Sequence, residues 1–371
     1  MKNVRELVLS AAAGLASGFQ SHPVLVGFDG FVDEIIHVVK QRESADHYTR
    51  MEKMAEFGQR VVDAAGLSCN IELVTQRVKL GGNGPIFANA LHTLGHKLTY
   101  TGALGETAIH PVFDQFAQSC EQVVSLAEPG HTLALEFHDG KVMQGNMVSL
   151  ADVTFEALLE RMPASELETL VNGQRLCGFV NWTMLPYMDG IFEGFTDVFG
   201  RTPERENVFV DLADPAKRTP ADIREALRLL GAMQGTADVI LGLNKHESAQ
   251  IAELLGIEPG DDLPARAAAI RESVEVSCVL IHPLRRSICA TEEGAWEVPG
   301  PFCAEPKLTT GAGDVFNSGF CHGLLSGLSH QQSLAAGGCA SGFYVRNARP
   351  ATNEELVAFL RSWADCDCGE I

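Results

Sequence analysis

The sequence contains little positive charge. Its 28 lysine and arginine residues stand against 48 aspartate and glutamate residues, which gives a formal net charge of −20 at pH 7. Nucleic-acid backbones and anionic membrane surfaces repel a strongly acidic protein, so neither a nucleic-acid nor a membrane partner is expected. A small anionic ligand held by local N–H groups is not excluded by this charge.

The sequence also has no apolar run of about 20 residues that would span a membrane. A shorter apolar run from Leu7 to Ala16 follows Lys2 and Arg5, as in a signal peptide, but Glu6 interrupts the basic region and a strand follows closely. We therefore predict an amphipathic opening helix. The ten cysteines are scattered and form no C-x-x-C pair, which predicts reduced thiols and a cytoplasmic protein.

Two common nucleotide-binding motifs are missing. The first predicted strand, at 24–28, runs into Gly27 to Gly30 without the G-x-G-x-x-G pattern, which argues against an NAD-dependent dehydrogenase. The motif G-x-x-x-x-G-K-[ST] is absent as well, which argues against a P-loop kinase.

Strand and helix patterns alternate along most of the chain, and such alternation predicts a parallel sheet covered by helices. With 371 residues and no Pro- or Ser-rich linker, the chain is expected to form a single domain over residues 1–371. The later strands are predicted at 208–211, 239–242 and 276–281, and the later helices at 221–233, 246–255, 315–328 and 330–346.

One region breaks this alternation. Apolar runs at 133–137 and 142–148 flank His138 to Gly140, which predicts a hairpin. Together with strands at 34–40 and 71–80, the hairpin would form a small sheet, so we predict a lid from about 34–80 and 131–149. A helix over 47–65 is inserted between the two earlier strands.

The most informative segment runs from Leu308 to Asp314. Gly311 and Gly313 allow successive N–H groups to point the same way, and the apolar pattern that follows predicts a helix whose positive end faces the turn. Asp314 would then lie where a phosphate and a hydroxyl meet. Taken alone, the same residues could form a strand-to-helix turn capped by Asp314.

Other polar groups follow other predicted strands, where open α/β sheets bind their ligands. They are Asp29 and Asp33, the glycine-rich segment Gly81 to Gly84 with Asn83, and the pair Asn244 and Glu247. Each also has a simpler explanation. Asp29 and Asn83 could be turn or helix caps, and Asn244 with Glu247 has the spacing of a capping box.

In combination, Gly81-Gly82-Asn83, the N-x-x-E segment from Asn244 to Glu247, and Leu308 to Asp314 resemble the motifs of the ribokinase-like (PfkB) carbohydrate kinases over nearly the whole chain. The resemblance implies a three-layer αβα fold with a mostly parallel central sheet and a small β-sheet lid. It also implies transfer of the γ-phosphate of ATP, with Mg²⁺, to a hydroxyl of a sugar, nucleoside or similar small molecule.

The resemblance assigns roles to particular residues. Asp314 corresponds to the general base, beside an anion hole formed by Gly311, Ala312 and Gly313. The residues implied to bind the acceptor are Asp33, Asp29, Gly82 and Asn83. Those implied to bind the nucleotide are Asn244, Thr309 and Asn347, and Glu247 is implied to organise Mg²⁺ through water.

The chain departs from the family pattern at two places. Leu308 replaces an aspartate that helps form a monovalent-cation site in many relatives, so we expect little activation by K⁺. The segment from His282 to Ser287 replaces a small glycine-containing loop, which leaves ADP as an alternative donor. An ADP-dependent sugar kinase, a nucleoside kinase of the same superfamily and an inactive sugar or nucleotide sensor therefore stay open.

The sequence does not identify the acceptor or the oligomeric state. Because lids in related kinases often pair, a homodimer through the lid is a further hypothesis. The inserted helix over 47–65 could occupy that surface and prevent pairing.

Overall fold

The computed structural model describes residues 2–202, 205–258, 260–366 and 368. Its strands are β1 (Pro23–Gly27), β2 (Phe31–Arg42), β3 (Tyr48–Arg50), β4 (Leu73–Gly81), β5 (Lys97–Gly102), β6 (Gln122–Ser125), β7 (Gly130–Phe137), β8 (Gly140–Asn146), β9 (Leu176–Val180), β10 (Asn207–Asp211), β11 (Asp238–Leu243), β12 (Cys278–Ile281), β13 (Arg286–Thr291) and β14 (Gly294–Pro299). Its helices are α1 (Lys2–Gly18), α2 (Met54–Asp63), α3 (Asn83–Thr93), α4 (Asp114–Ser119), α5 (Phe155–Arg161), α6 (Ala164–Asn172), α7 (Met188–Phe199), α8 (Pro220–Gln234), α9 (Lys245–Leu254), α10 (Leu263–Val274), α11 (Ala312–Leu325), α12 (His330–Asn347) and α13 (Asn353–Asp365).

The main sheet has the strand order β14-β13-β12-β11-β10-β9-β1-β5-β6 among the described residues. Its strands are parallel from β12 to β6, whereas β13 and β14 run antiparallel at one edge. The alternating α/β prediction is therefore confirmed for the body of the sheet. The edge hairpin of β13 and β14 was not predicted.

Helices cover both faces of this sheet because its strands are apolar on both sides. In β1, Leu25 belongs to the core that includes α7, α8 and α10, whereas Val24 and Val26 belong to the core that includes α1, α3 and α11 to α13. Successive side chains of a strand point to opposite faces, so one short strand contributes to both cores. The result is the predicted three-layer arrangement.

The second, smaller sheet contains the strands that were predicted to form a lid, and it is called the lid below. Strand β2 is its longest member and pairs antiparallel with β4 along one edge. Along the other edge it pairs parallel with β7 and, near its end, antiparallel with β3. Strand β8 completes the predicted hairpin with β7. One face of the lid carries a small apolar core of Ile36, Val38, Met51, Leu135 and Phe137, against which Phe57 of α2 packs.

The inserted helix is shorter than predicted. Residues 48–50 pair with β2 as strand β3, so the helix begins only at Met54 and ends at Asp63. The apolar spacing of residues 51–62 resembled one continuous helix because Met51 reaches the same core from a strand. Among the residues that the structure describes, no helix is long and apolar enough to cross a membrane.

Candidate active site

The turn before α11 is held in a left-handed conformation that suits glycine. Gly311 has φ 86°, and a Cβ there would lie 3.1 Å from both the Tyr344 hydroxyl and a side-chain carbon of Ile86. The Tyr344 hydroxyl also donates a 2.9 Å hydrogen bond to the carbonyl of Thr310. Side chains from two other helices therefore fix this turn. The Ala312 N–H donates to the Thr309 carbonyl at 3.1 Å, and the positive end of the α11 dipole makes the start of this helix suited to an anion.

Asp314 lies in the first turn of α11 and is buried. The side-chain amide of Asn83 donates a 2.9 Å hydrogen bond to its Oδ1. Burial raises the pKa of Asp314 to about 7, and the negative charges of Asp29 and Glu247 act in the same direction. A carboxyl group with this pKa can take up a proton near neutral pH, as a general base must.

Asp29 supports the start of α3 rather than facing a ligand. It is fully buried, its two carboxylate oxygens accept N–H groups of Asn83 (3.0 Å) and Gly84 (2.7 Å), and the Asn181 amide donates to it as well. Burial raises its pKa to about 6. Direct contact of Asp29 with the acceptor therefore has no support from its position. Its effect on the site is to orient Asn83.

Asp33 is the predicted site residue that lies on the lid. It lies on β2 with 14% of its side chain exposed, and Lys79 Nζ on β4 lies 3.8 Å from its Oδ2. A Cβ on Gly81 would overlap the Asp33 carboxyl group, so the glycine before Gly82 makes room for this side chain. Burial raises the pKa of Asp33, whereas Lys79 and the Thr132 hydroxyl oppose that change.

Asn244 and Glu247 form the capping box that their spacing also allowed. The Asn244 side chain accepts the N–H groups of His246 (2.8 Å) and Glu247 (2.9 Å), and Glu247 Oε2 accepts the Asn244 N–H at 2.7 Å. Glu247 Oε1 accepts the Asp214 N–H at 3.0 Å. Glu247 is buried, which raises its pKa. The cap holds this carboxylate at the carboxyl end of β11.

Sequence reasoning missed Asp211 at the end of β10. Its Oδ2 accepts a 2.9 Å hydrogen bond from Asn317 of α11, and its Oδ1 accepts the Ala213 N–H at 2.9 Å. Burial raises its pKa well above the usual range, with further contributions from Glu247 and Asp314. Its place at a strand end was the only available signal, because it belongs to none of the motifs.

A cavity of about 390 Å³ lies beside the start of α11. Its polar edge includes Asn244 and Thr309, and its apolar wall includes Pro301, Phe302 and Val345. Asn347 is not part of this lining. It is exposed, and its amide donates to the carbonyl of Phe343, so its predicted role in nucleotide binding has no support from its position.

The unusual loop after β12 forms part of the cavity wall. His282 lies beside Gly313, where a Cβ would be 3.1 Å from its Cε1, and its buried Nε2 has no hydrogen-bond partner. Burial lowers its pKa to about 4, so the ring is neutral. Arg285 lies over the Phe302 ring at 3.6 Å and Arg286 pairs with Glu297. The two arginines thus contact other protein groups, and Arg286 also lines the cavity.

A larger cavity of about 820 Å³ lies at the opposite, amino-terminal edge of the sheet. Several acidic side chains line it, including Glu272, Glu275, Glu292 and Glu293. It includes neither the glycine turn nor the start of α11. An anionic phosphate chain therefore fits the smaller cavity better, despite the difference in volume.

The chain is similar to known sugar kinases. A family model described as prokaryotic ketohexokinase matches residues 2–363. The ketohexokinase of Haloferax volcanii is 30% identical over 346 residues, which cover 92% of each chain. A 5-dehydro-2-deoxygluconokinase of Bacillus anthracis is 28% identical over 131 residues, 34% of this chain and 39% of that protein.

Solved structures share the fold. The ribokinase of Arabidopsis thaliana, complexed with ribose and ATP, superposes with a TM-score of 0.67 at 16% identity and covers 92% of this chain and 99% of its own. The ribokinase of Thermotoga maritima gives a TM-score of 0.64 at 15% identity, with coverage of 92% and 100%.

Proposed function

Because the chain belongs to the prokaryotic ketohexokinase family and is therefore a carbohydrate kinase of ribokinase-like fold, we propose that it transfers the γ-phosphate of ATP to a hydroxyl group of a ketohexose. The observation that carries the proposal is the buried Asp314, which lies at the start of α11 beside the Gly311 turn and is held by Asn83. The proposed base, Asp314, thus lies at the helix end that would bind the phosphate.

The reaction follows from this arrangement. Asn83 engages Oδ1 of Asp314, which leaves Oδ2 to accept the proton of the sugar hydroxyl. The hydroxyl oxygen forms a bond to the γ-phosphorus while the bond from that phosphorus to the β–γ bridging oxygen breaks. ADP leaves with the electron pair of the broken bond, and Asp314 holds the proton.

The start of α11 stabilises the charge on the transferred group. The N–H groups of the Gly311 to Gly313 segment are fixed before the reaction, because Tyr344 holds the preceding turn. Donors that need no reorganisation stabilise a developing negative charge better than water does. The nucleotide would extend from this point into the 390 Å³ cavity, past Asn244 and Thr309.

The residues present fit Mg²⁺ bound through water. Among the described residues, no group of three or more His, Cys, Asp or Glu side chains could hold a metal ion directly. Mg²⁺ commonly keeps several waters and uses one or two carboxylates together with substrate phosphates. Glu247 and Asp211 are the carboxylates for such a shell. Bound Mg²⁺ would neutralise charge on the β- and γ-phosphates.

The test of this proposal is Asp314→Asn. The variant keeps the shape of the side chain but cannot accept the proton, so we expect kcat to fall roughly 10²- to 10⁴-fold. Sugar and nucleotide binding, measured by calorimetry, should stay close to wild type. Asp365→Asn is the matched control, since that side chain is 75% exposed. Turnover of Asp314→Asn near the wild-type rate would refute the assignment of the base.

The acceptor and the donor are tested together. Wild-type protein is assayed with ketohexoses, other sugars and nucleosides, each with Mg²⁺ and either ATP or ADP. The highest kcat/KM is expected for a ketohexose with ATP. A higher value with ADP or with a nucleoside would replace the proposal by the corresponding alternative, and ligand binding without any turnover would favour a sensor.

A further inference from the structure

Three polar side chains lie in one row across the lid. In the strand register, Asp33 of β2 is directly opposite Lys79 of β4 on one side and Thr132 of β7 on the other. Directly paired residues in neighbouring strands point to the same face. The row Lys79–Asp33–Thr132 is therefore a continuous strip of one ammonium, one carboxylate and one hydroxyl group.

This strip lies on the lid face that α2 does not cover. Glu34, Ile36 and Val38 alternate with Asp33 along β2, and Ile36 and Val38 belong to the apolar core under α2. The strip therefore occupies the opposite face. The Asp33 carboxyl group packs against Gly81, the residue before the Gly82–Asn83 start of α3, and its charge raises the pKa of Asp29. The strip thus lies toward the start of α3, on the side where the acceptor is proposed to bind.

The three groups keep hydrogen-bonding capacity for a ligand. Lys79 Nζ lies 3.8 Å from Asp33 Oδ2, and an ammonium group has three donors. Thr132 is buried, and its hydroxyl lies opposite Asp33 in the strand register and favours the charged form of that carboxyl group. The carboxylate can still accept bonds from hydroxyl groups, and Lys79, with 31% of its side chain exposed, can still donate.

We infer that Lys79 is a specificity-determining residue for the acceptor, which keeps Asp33 in the carboxylate form and donates a hydrogen bond to an oxygen next to the hydroxyl that Asp33 binds. The strip then recognises a hydroxyl group beside a carbonyl or ring oxygen, as in an uncharged ketose. The inference rests on the proposed function. It adds Lys79 as the residue that recognises the sugar oxygen next to the hydroxyl bound by Asp33.

Charge explains why Lys79 is needed. Burial favours the protonated form of Asp33, and the charge of Asp33 raises the pKa of the nearby Asp29. Lys79 from β4 and the Thr132 hydroxyl from β7 are the groups that oppose protonation. Without Lys79, Asp33 would be protonated at a higher pH and would bind hydroxyl groups less well.

The experiment compares Lys79→Met with Lys79→Arg. The methionine removes the charge at similar length, and we expect the KM for the best ketose to rise about tenfold or more, while the KM for ATP changes less than about twofold. The pH below which sugar KM begins to rise should move upward. Lys79→Arg should restore most of the affinity, and Thr132→Val should give a smaller change in the same direction.

Two results would overturn the inference. One is an unchanged sugar KM and pH profile in Lys79→Met. The other is a Lys79→Arg variant as impaired as Lys79→Met, because packing rather than charge would then be responsible. If wild-type protein phosphorylates a sugar, either result overturns only the inference about Lys79. If wild-type protein phosphorylates no sugar at all, the proposed function and the inference are both overturned.

Discussion

At the scale of single residues, the site is unusual in its density of buried carboxylates. Asp29, Asp211, Glu247 and Asp314 all lie at the carboxyl edge of the main sheet, and burial raises the pKa of each. Each is also held by N–H groups that favour the charged form. Their protonation therefore changes closer to neutral pH than that of exposed carboxylates.

The pH dependence of turnover follows from Asp314. Its pKa is raised to about 7, and only the deprotonated form can accept the sugar proton. We therefore expect kcat/KM to fall about tenfold for each pH unit below that value and to level off above it. Asn83→Ala removes a hydrogen bond that lowers this pKa, so the acid limb should move to higher pH. An acid limb at pH 4 to 5 in wild type would contradict the prediction.

Motif spacing singled out candidate site residues, but it could not give their contacts. Asp314, Asn83 and Asp33 come from three distant parts of the sequence, and their placement near one another depends on the whole fold. Asp29 seemed equivalent to Asp33 because both follow β1, yet only the structure shows Asp29 buried beneath α3. Burial is a property of tertiary packing, which a motif does not encode.

At the scale of elements, α2 covers the apolar face of the lid and so determines whether that face can pair with another lid. Phe57 lies 5.7 Å from the Phe137 ring between centroids and covers the apolar core of the lid. Before another lid could pair with that face, α2 would have to be displaced. The alternative in which the inserted helix occupies the surface thus has structural support, and the homodimer stays a hypothesis.

Phe57→Ala tests whether α2 stabilises the lid. Loss of the ring removes part of the cover over Ile36, Val38 and Leu135, and we expect a cost of about 2 kcal/mol, less than for a fully buried ring. Hydrogen exchange should become faster in β2, β7 and β8 and stay unchanged in β9 to β12. Val62→Ala is the control, since that side chain is 65% exposed. Equal exchange in both variants would contradict the prediction.

At the scale of the whole molecule, a chain of histidines connects distant segments. His96 Nε2 lies 3.0 Å from His322 Nδ1, and His322 Nε2 lies 2.9 Å from the Asn353 side-chain oxygen. The His22 N–H donates to His96 Nδ1 at 3.3 Å. With neutral rings, one pair of tautomers satisfies all three bonds, in which each Nε2 donates. The chain thus ties the residue before β5 to α11 and α13.

Acid should break this connection. Burial lowers the pKa of His96 to about 3 and that of His322 to about 4. The unfolded chain takes up these protons near pH 6.5, so stability is retained above that pH and is lost as the pH falls toward 4. The slope should be about 1.4 kcal/mol per pH unit for each imidazole.

Denaturant unfolding at pH 7.5, 6 and 5 measures this loss. The raised pKa values of the buried carboxylates change stability in the opposite direction, so the informative quantity is the difference between wild type and a His96→Gln/His322→Gln variant. As the pH falls from 7.5 to 5, the variant should lose less stability than wild type, or gain more. The exposed His138, replaced by glutamine, serves as the control. Identical pH dependence in all three proteins would contradict the prediction.

The overall architecture could be predicted because alternating apolar strands and amphipathic helices allow few arrangements. The strand order and the antiparallel edge of β13 and β14 could not, since pairing between distant segments leaves no local pattern. The boundary of α2 was wrong for the related reason that Met51 reaches the lid core from a strand end.

The position of Asp29 matters for how mutational data on this kinase are interpreted. One side chain joins the end of β1 to the start of α3 and to Asn181 after β9, and through Asn83 it reaches Asp314. A growth-based screen of substitutions would score Asp29 as severely as the base itself. Such a screen shows that activity depends on a residue, but not whether the residue contacts the substrate. Only a binding measurement on purified variants would distinguish the positioning role of Asp29 from the proposed catalytic role of Asp314.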